Sequence, residues 1–460
     1  MTASALTVIV GAGISGLTCA YSLRKTGHNV LLLEASTRPG GVVQSPAEDG
    51  YLFELGPQSF SATLLLDQLC NDLGLTGQLI EAPHASPRFV LVDGKLLPVP
   101  MSPANFVSSS LLSWKTKIAI LTEVLRTTHP PEPDESIADF TRRKFSGELL
   151  DRLVGPFVSG IYAGDPEQIS LRAAFPKIRE AEQATGSVVR GIFRAAKDPK
   201  TAVAENRTRR RPSLVSFRNG NETLVSTLAE KLGGSLRCDA VVRSISKTDA
   251  GFSVQTSTYG NAQGIQCDKL VVATPTSVAA SLLENFVPAA ATHLRDIHYA
   301  PVAMVSLGYR RDQVRHALNG FGFLIPRSAG IRTLGTVWNS SQFPSRAPAG
   351  QVLLTSFIGG ATDTAAVSLG DGELSATVHR EISAILGITG LPAKERVTAY
   401  QSAIPQYNLG HTEKLQNIRD AISRVPGLWL TGNYLQGPAV GTCIEHALSV
   451  AEQVRISYNF

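Results

Sequence analysis

The chain is poor in residues that build covalent or metal-held scaffolds. Five cysteines occur among 460 residues: Cys19, Cys70, Cys238, Cys267 and Cys443. None forms a C-x-x-C pair and the count is odd, which argues against a disulfide framework or zinc site and favours a reducing compartment. The nine histidines are scattered, without H-E-x-x-H or similar ligand spacing. No metal site is expected. No run of 18 apolar residues exists, so no transmembrane helix is expected. An apolar strand begins at Leu6 and leads directly into a glycine motif. That leaves no room for a signal peptide or organelle leader unless the chain is a matured form, and a cytoplasmic location is expected. Surplus charge is also small: 43 basic against 38 acidic residues, a net +5. This argues against a nucleic-acid partner and is compatible with an anionic substrate or membrane surface.

What the chain does have is core material and glycine. It is 43% hydrophobic and 18% charged, which excludes a disordered chain. Its length suggests about three domains at roughly 150 residues each, or one interleaved fold. The 40 glycines slightly exceed the usual share of about 7%. Their positions carry most of the information.

Residues 6–10 read as a buried strand, 14–26 as a helix closed by Gly27, and 29–33 as a second strand. Gly11-Ala12-Gly13-Ile14-Ser15-Gly16 fits G-x-G-x-x-G at the strand–helix junction. Gly11 permits the tight turn, Gly13 admits a pyrophosphate to the backbone, and Gly16 lets helix and strand pack closely. The helix N-terminus then faces the phosphates. Glu34 ends the second strand, where a carboxylate accepts ribose hydroxyls and would repel a 2′-phosphate.

Further along, 111–126 shows an apolar stripe of Leu111, Trp114, Ile118, Leu121 and Leu125, with Lys115, Lys117 and Arg126 off it. The preferred reading is a core-facing helix; a membrane-attaching one is the alternative. Residues 127–136 read as a linker, 137–153 as helical and 196–212, with Arg207 and Arg209 to Arg211, as a solvated loop. Leu224 to Leu232 reads as a helix. Strand-like runs follow at 236–245, 252–257 and 268–273, and a second sheet at 299–309, 320–326, 333–338 and 351–358. The chain closes with a helix at 373–386, a strand at 427–431 and a helix at 442–456.

Arg38-Pro39-Gly40-Gly41, Leu270-Val-Val-Ala-Thr-Pro275 and Leu428-Trp-Leu-Thr-Gly432-Asn433 through Gly437-Pro438-Ala439-Val440-Gly441 resemble three ordered pieces of glutathione-reductase-like and amine-oxidase-like flavoproteins. That resemblance prefers FAD over NAD, bound non-covalently, with a C-terminal helix N-terminus aimed at the flavin pyrimidine. Cys443 is read as packing and not as an attachment point. The implied cofactor contacts are Gly11 to Gly16, Glu34, Ala35, Arg38 and Gly41. They continue with Gly56, Pro57, Gln58 and Val242, then Gly432, Asn433, Pro438, Ala439 and Val440.

Phe157-Val-Ser-Gly160-Ile-Tyr-Ala-Gly164-Asp-Pro166 reads, on its residues alone, as a close-approach loop after a helix. It is similar to a signature of the oxygen-dependent protoporphyrinogen oxidases and their coproporphyrinogen-oxidising relatives. Arg88-Phe-Val-Leu-Val-Asp-Gly94 to Pro98, Gly320 to Pro326, Leu334-Gly-Thr-Val337, Thr355-Ser-Phe357-Ile-Gly-Gly360 and Asn408-Leu-Gly-His411 extend the resemblance over almost the whole chain. Asn219-Gly220-Asn221 departs from it, where the family usually has a glycine pair.

The resemblance implies an FAD oxidase taking six electrons, in three two-electron steps, from a porphyrinogen, with O2 as acceptor and peroxide released. It implies Arg88 for a propionate, Phe357 for ring stacking, Leu324 and Val337 as flanking aliphatics, and Gly160 as a backbone contact. No side-chain catalytic base is expected; the protein's work is positioning a disk. Protoporphyrinogen IX is the first substrate reading and coproporphyrinogen III the alternative. A flavin amine oxidase, a carotenoid-type desaturase and a non-catalytic flavoprotein-like module are rivals. Hand-off of product to a chelatase and peripheral membrane contact are implied partners; oligomeric state stays open.

The expected fold is α/β with mixed α+β parts: a Rossmann-like FAD-binding domain from 1–85, 213–295 and 410–460. A mixed-sheet substrate domain from 86–104 and 296–409 is inserted, with a helical domain at 105–212.

Overall fold

The computed structural model describes residues 5–83, 86–197, 213–258 and 261–457. The solvated loop expected at 196–212 lies outside the described residues, except for its first two positions, which end the helix Val188–Lys197.

Strands Leu236–Arg237, Asn29–Leu33, Leu6–Val10, Lys269–Val272 and Leu428–Leu430 form, in that order, a five-stranded parallel sheet. Its strands come from both ends and the middle of the chain; Val8 pairs with Leu270. Such a sheet is covered on both faces, so its strands read as apolar runs rather than alternating ones. One face packs on helices Ile14–Lys25, Glu222–Leu232 and Val440–Ile456 through Leu17, Leu228 and Ile444. The other packs on Thr276–Leu283, Pro288–Arg295 and His411–Ser423 through Leu283, Leu294 and Ile418. A three-stranded antiparallel sheet, Ala240–Thr248, Gly251–Thr258 and Asn261–Cys267, leans against it.

The second large sheet has seven strands, ordered Lys394–Pro405, Tyr299–Arg310, Gln351–Gly359, Thr333–Trp338, Gly322–Leu324, Arg88–Val92 and Lys95–Pro98. Only Gly322–Leu324 and Arg88–Val92 pair in parallel. Helix Asp371–Leu386 covers one face, packing Leu374, Val378 and Ile382 on Val305, Ile358 and Trp338. Side chains alternate along a strand, so the opposite face takes the intervening residues.

Helices from 103 to 197 form a third body. Two expectations are corrected there. First, 157–162 is not loop but belongs to helix Gly155–Tyr162, which ends at Ala163 in the left-handed region at φ 46°. Val158 and Tyr162 are buried, and a one-turn apolar spacing outweighs two interior glycines. Second, the helix within 111–126 begins only at Trp114 and is capped by Ser113. Leu111 and Leu112 precede it and are buried, whereas Trp114, Ile118, Leu121 and Leu125 are 62%, 56%, 57% and 79% exposed. The stripe therefore faces outward. The polar face is the anchored one: Lys117 Nζ donates to the carbonyls of Val107 (2.8 Å) and Ser109 (2.6 Å), and Thr116 Oγ1 donates to Glu148 (2.6 Å). Buried Lys144 meets Glu123 at 2.9 Å just beyond the helix.

Candidate active site

The first half of the site is built from backbone. Gly11 has φ +100°, and a Cβ there would lie 2.8 Å from the Ala273 carbonyl oxygen. A Cβ on Gly16 would lie 1.9 Å from the Gly11 carbonyl oxygen. Both positions exclude side chains for reasons of packing alone. Gly13 is different: a Cβ there would meet nothing within 4 Å, and Gly13 is the N-cap of helix Ile14–Lys25 with no side-chain cap. Open space beside an uncapped helix start is what a pyrophosphate needs. Thr274, which flanks Gly11, has a buried hydroxyl without a partner among the described residues. These residues fit a dinucleotide.

Glu34 follows strand Asn29–Leu33 and its carboxylate is already oriented. It accepts from Ala12 N–H (2.7 Å), Ser36 N–H (2.9 Å) and the Ser36 hydroxyl (2.7 Å). Ala35 is exposed beside it. The carbonyl of Glu34 accepts from Ala240 N–H at 2.8 Å, which brings the strand bearing Val242 alongside. Arg38 turns onto its own loop, donating to the carbonyls of Pro39 (2.9 Å) and Gly41. Gly41 approaches Gly13; a Cβ on it would lie 3.5 Å from the Gly13 Cα.

Gly56, Pro57 and Gln58 are held by side chains around them. Gln58 Nε2 donates to the carbonyls of Glu54 and Gly56 (3.0 Å each), and its Oε1 accepts from Asn339 Nδ2 (2.7 Å). Asn221 Nδ2 donates to the Pro57 carbonyl (2.8 Å). Glu54 accepts from Arg346 (2.9 Å), Ser45 (2.6 Å) and Asn221 N–H (3.1 Å). Burial pushes its carboxyl up to about 7 against the pull of the Arg346 guanidinium. The departure at Asn219–Asn221 is thus a tight turn: Gly220 takes φ +94° against Ser45, and Asn221 is wholly buried.

At the other end, Gly432 and Asn433 follow strand Leu428–Leu430, and Pro438 and Ala439 lead into helix Val440–Ile456, two residues earlier than expected. Ala439 is its N-cap without a side-chain hydrogen bond to the first turn. Cys443 is buried, and burial pushes its thiol up to about 11. That is the environment of a packing cysteine, not a nucleophile.

The second half is built from side chains. Across the seven-stranded sheet, Arg88 pairs with Gly322, Gly322 with Val337, and Val337 with Thr355. One step along, Leu324 pairs with Gly335 and Gly335 with Phe357. The two rows are two residues apart on each strand, so Arg88, Leu324, Val337 and Phe357 share one face. All four are half-buried or exposed, while Phe323, Trp338 and Ile358 between them face the core. The Arg88 guanidinium sits over the Phe321 ring at 5.3 Å. Gly160 stands opposite: a Cβ there would lie 2.8 Å from Leu324 Cδ2. The five residues expected at the substrate therefore surround one wall.

Sequence reasoning missed Glu54, Arg346 and Asn339, and assigned no role to Tyr407 or His411. No spacing signal connects Glu54 with Arg346, which lies 292 residues away.

The comparisons follow this geometry. The model of flavin-containing amine oxidoreductases matches residues 14–455. The chain belongs to that family. It is a flavin-dependent oxidoreductase on an α/β scaffold. Within the family, the chain is 36% identical to chloroplastic protoporphyrinogen oxidase 1 of Arabidopsis thaliana, covering 97% of this chain and 87% of that one. It is 29% identical to coproporphyrinogen III oxidase of Bacillus subtilis, covering 95% of each. A crystal structure from Exiguobacterium sp. 255-15, provisionally assigned as a protoporphyrinogen oxidase, superposes with TM-score 0.83 at 25% identity over 100% of both chains. Cyclohexylamine oxidase of Brevibacterium oxydans, at 16% identity and TM-score 0.67, shares the fold. The family resemblance read from the sequence is the one these relatives carry.

Proposed function

We propose that this flavin oxidoreductase is an FAD-dependent oxidase that converts protoporphyrinogen IX to protoporphyrin IX. Six electrons leave the macrocycle in three two-electron steps, and three O2 become three hydrogen peroxide. The observation that carries this is the wall of Arg88, Leu324, Val337 and Phe357 on one sheet face, lidded by Gly160. A porphyrinogen is an apolar disk with ionised propionates at its rim. An apolar wall with one guanidinium at its edge complements both parts.

FAD, when bound non-covalently, would supply the two-electron redox chemistry and pass electrons to oxygen. Gly11 to Gly16 and Gly41 would hold its pyrophosphate, and Glu34, with Ala35, Arg38 and Val242, its adenosine end. Gly56 to Gln58, Gly432, Asn433 and Pro438 to Val440 would hold the ring end. Arg88 would pair with a propionate, Phe357 would stack on a pyrrole, and Leu324 and Val337 would flank it. The wall side chains include no carboxylate or imidazole, so pyrrole protons would leave to water. The protein's contribution is orientation and water exclusion.

Relatives named for protoporphyrinogen range from 28% to 37% identity, and those named for coproporphyrinogen III are at 28% and 29%. The chloroplastic enzymes at 36% and 37% support protoporphyrinogen as the first substrate to test. Purified yellow protein should oxidise protoporphyrinogen IX, with the flavin bleaching anaerobically and recovering on exposure to oxygen. Bleaching by neither porphyrinogen would overturn the proposal.

Peripheral membrane contact belongs to the same reading. No helix among the described residues is long and apolar enough to cross a membrane. The outward stripe of Trp114, Ile118, Leu121 and Leu125, flanked by Lys115 and Arg126, suits an anionic interface. The protein should float with anionic liposomes, and Trp114→Glu with Leu125→Glu should leave it at the bottom of the gradient.

A further inference from the structure

The segment Gln406–His411 has no part in the mechanism above, yet it touches both halves of the site. Tyr407 and His411 are each 2% exposed. Tyr407 Oη donates to the Asn433 carbonyl at 2.7 Å. His411 Nε2 lies 3.0 Å from the carbonyl oxygen of the next residue, Tyr434. A carbonyl only accepts, so Nε2 carries the proton. Burial holds this imidazole down to about 4, which keeps it neutral. The two rings stack, with centroids 4.2 Å apart and planes at 22°.

On its other side the segment grips the substrate helix. The Tyr407 ring lies 5.6 Å from that of Tyr162. Gln406 Nε2 donates to the Tyr162 carbonyl at 2.8 Å. Tyr162 ends the helix that carries Gly160, which abuts Leu324 of the wall. Filling space would need neither a hydroxyl nor an imidazole; leucine and phenylalanine would serve. Instead, two consecutive carbonyls of one loop are each held by a polar side chain, and both side chains come from one short segment. That loop leads from the nucleotide sheet to the helix assigned to the flavin.

We infer that Tyr407 and His411 are positioning residues that lock the Asn433–Tyr434 loop to the substrate helix Gly155–Tyr162, setting the distance between cofactor ring and macrocycle. The inference rests on the function proposed above. Neither residue touches the reacting atoms. Each acts through the loop, and a displacement of about 1 Å in such a site can cost a hundredfold in rate.

The test uses flavin-loaded wild type, Tyr407→Phe, His411→Ala and His411→Gln. Anaerobic bleaching is driven by saturating protoporphyrinogen and, separately, by dithionite, which needs no positioned disk. Tyr407→Phe keeps the stacked ring and loses one hydrogen bond. It should bleach roughly tenfold slower with porphyrinogen, with KM within about threefold and the dithionite rate unchanged. His411→Gln, which keeps a donor, should retain most of the rate that His411→Ala loses. Wild-type porphyrinogen rates in Tyr407→Phe, with only a lower melting temperature, would overturn the inference. If His411→Ala fails to fold, Tyr407→Phe alone decides. A wild type that no porphyrinogen bleaches overturns the functional reading and this one together.

Discussion

The glycine-rich nucleotide motif and the side-chain wall, proposed to meet a pyrophosphate and a porphyrinogen, are built in opposite ways. The glycine positions, Gly11 to Gly16 and Gly40 to Gly41, lie in or just after one strand–helix–strand unit and work by lacking side chains. The wall draws Arg88, Leu324, Val337 and Phe357 from four strands and works by side chains that share a face. At Gly11 and Gly16 an added methyl has nowhere to go, and at Gly13 it would take the space left for the ligand. In the wall, a lost contact removes one increment of binding. The first should fail all at once and the second by degrees.

The largest effect belongs to the glycine motif. Gly16→Val puts atoms where the Gly11 carbonyl oxygen already stands, 1.9 Å from the first of them. It should yield no yellow protein. Gly13→Ala meets nothing within 4 Å and should melt like wild type, yet lose at least about tenfold in flavin affinity by titration, since its methyl occupies the ligand's approach. Wild-type flavin affinity in Gly13→Ala would remove the distinction between packing and ligand glycines.

Acid should strike the nucleotide side next. Burial lowers His411 and His446 to about 4; His411 holds the flavin-side loop and His446 meets Thr431 at 3.0 Å. Unfolded imidazoles take up protons below about 6.5, and the folded ones only near 4. The unfolded state thus binds more protons across that window, so stability rises with pH and is lost as pH falls from about 6.5 to 4. The loss is on the order of 3 kcal/mol for each histidine. Thermal melts followed by flavin fluorescence should show release beginning in that window. Glu54, raised to about 7, takes up its proton first in the folded state and opposes part of this loss. The deciding comparison is therefore with His411→Gln and His446→Gln: profiles that coincide with wild type between pH 7 and 4 would show that neither ring matters to the loop.

Arg88→Ala tests the wall. A charged hydrogen bond contributes about 1.5–3 kcal/mol, so KM should rise roughly ten- to a hundredfold while flavin stays bound. An unchanged KM would take Arg88 out of the site. Smallest is Gly160→Ala, whose methyl meets only the flexible end of Leu324, at 2.8 Å. Overpacking there should cost about 1 kcal/mol, seen as a roughly fivefold rise in KM with little change in melting. If Gly160→Ala abolished flavin binding, the wall would be no more tolerant than the glycine motif.

The same contrast explains what could be read in advance. The strand–glycine–helix–Glu34 unit was legible because its parts are neighbours: the turn, the helix start and the acidic strand end lie within about one βαβ unit. The wall residues were reached through resemblance, since no periodicity links Arg88 to Phe357; pairing register joins them. Glu54 and Arg346 were invisible for the same reason. Strand Lys394–Pro405 was missed because only its last residue is buried and its pattern is weak. Helix Gly155–Tyr162 was mistaken for a loop because Gly155 and Gly160 weigh against helix formation locally, whereas its burial against Tyr407 and Phe175 is tertiary.

By itself, the sequence determined the strand–glycine–helix unit at the start of the chain. The turn at Gly11, the close approach at Gly16 and Glu34 at the next strand end are local to it, although strand Lys269–Val272 and Ala273 then pack against that turn. It also determined that Trp114 to Leu125 has an apolar and a polar side. Which side turns inward was decided by tertiary structure. The ammonium of Lys117 and the hydroxyl of Thr116 find Val107, Ser109 and Glu148 beneath them, and a polar group so paired can be buried at little cost. Amphipathicity supplies two faces. Only the partners waiting on one of them say which is covered.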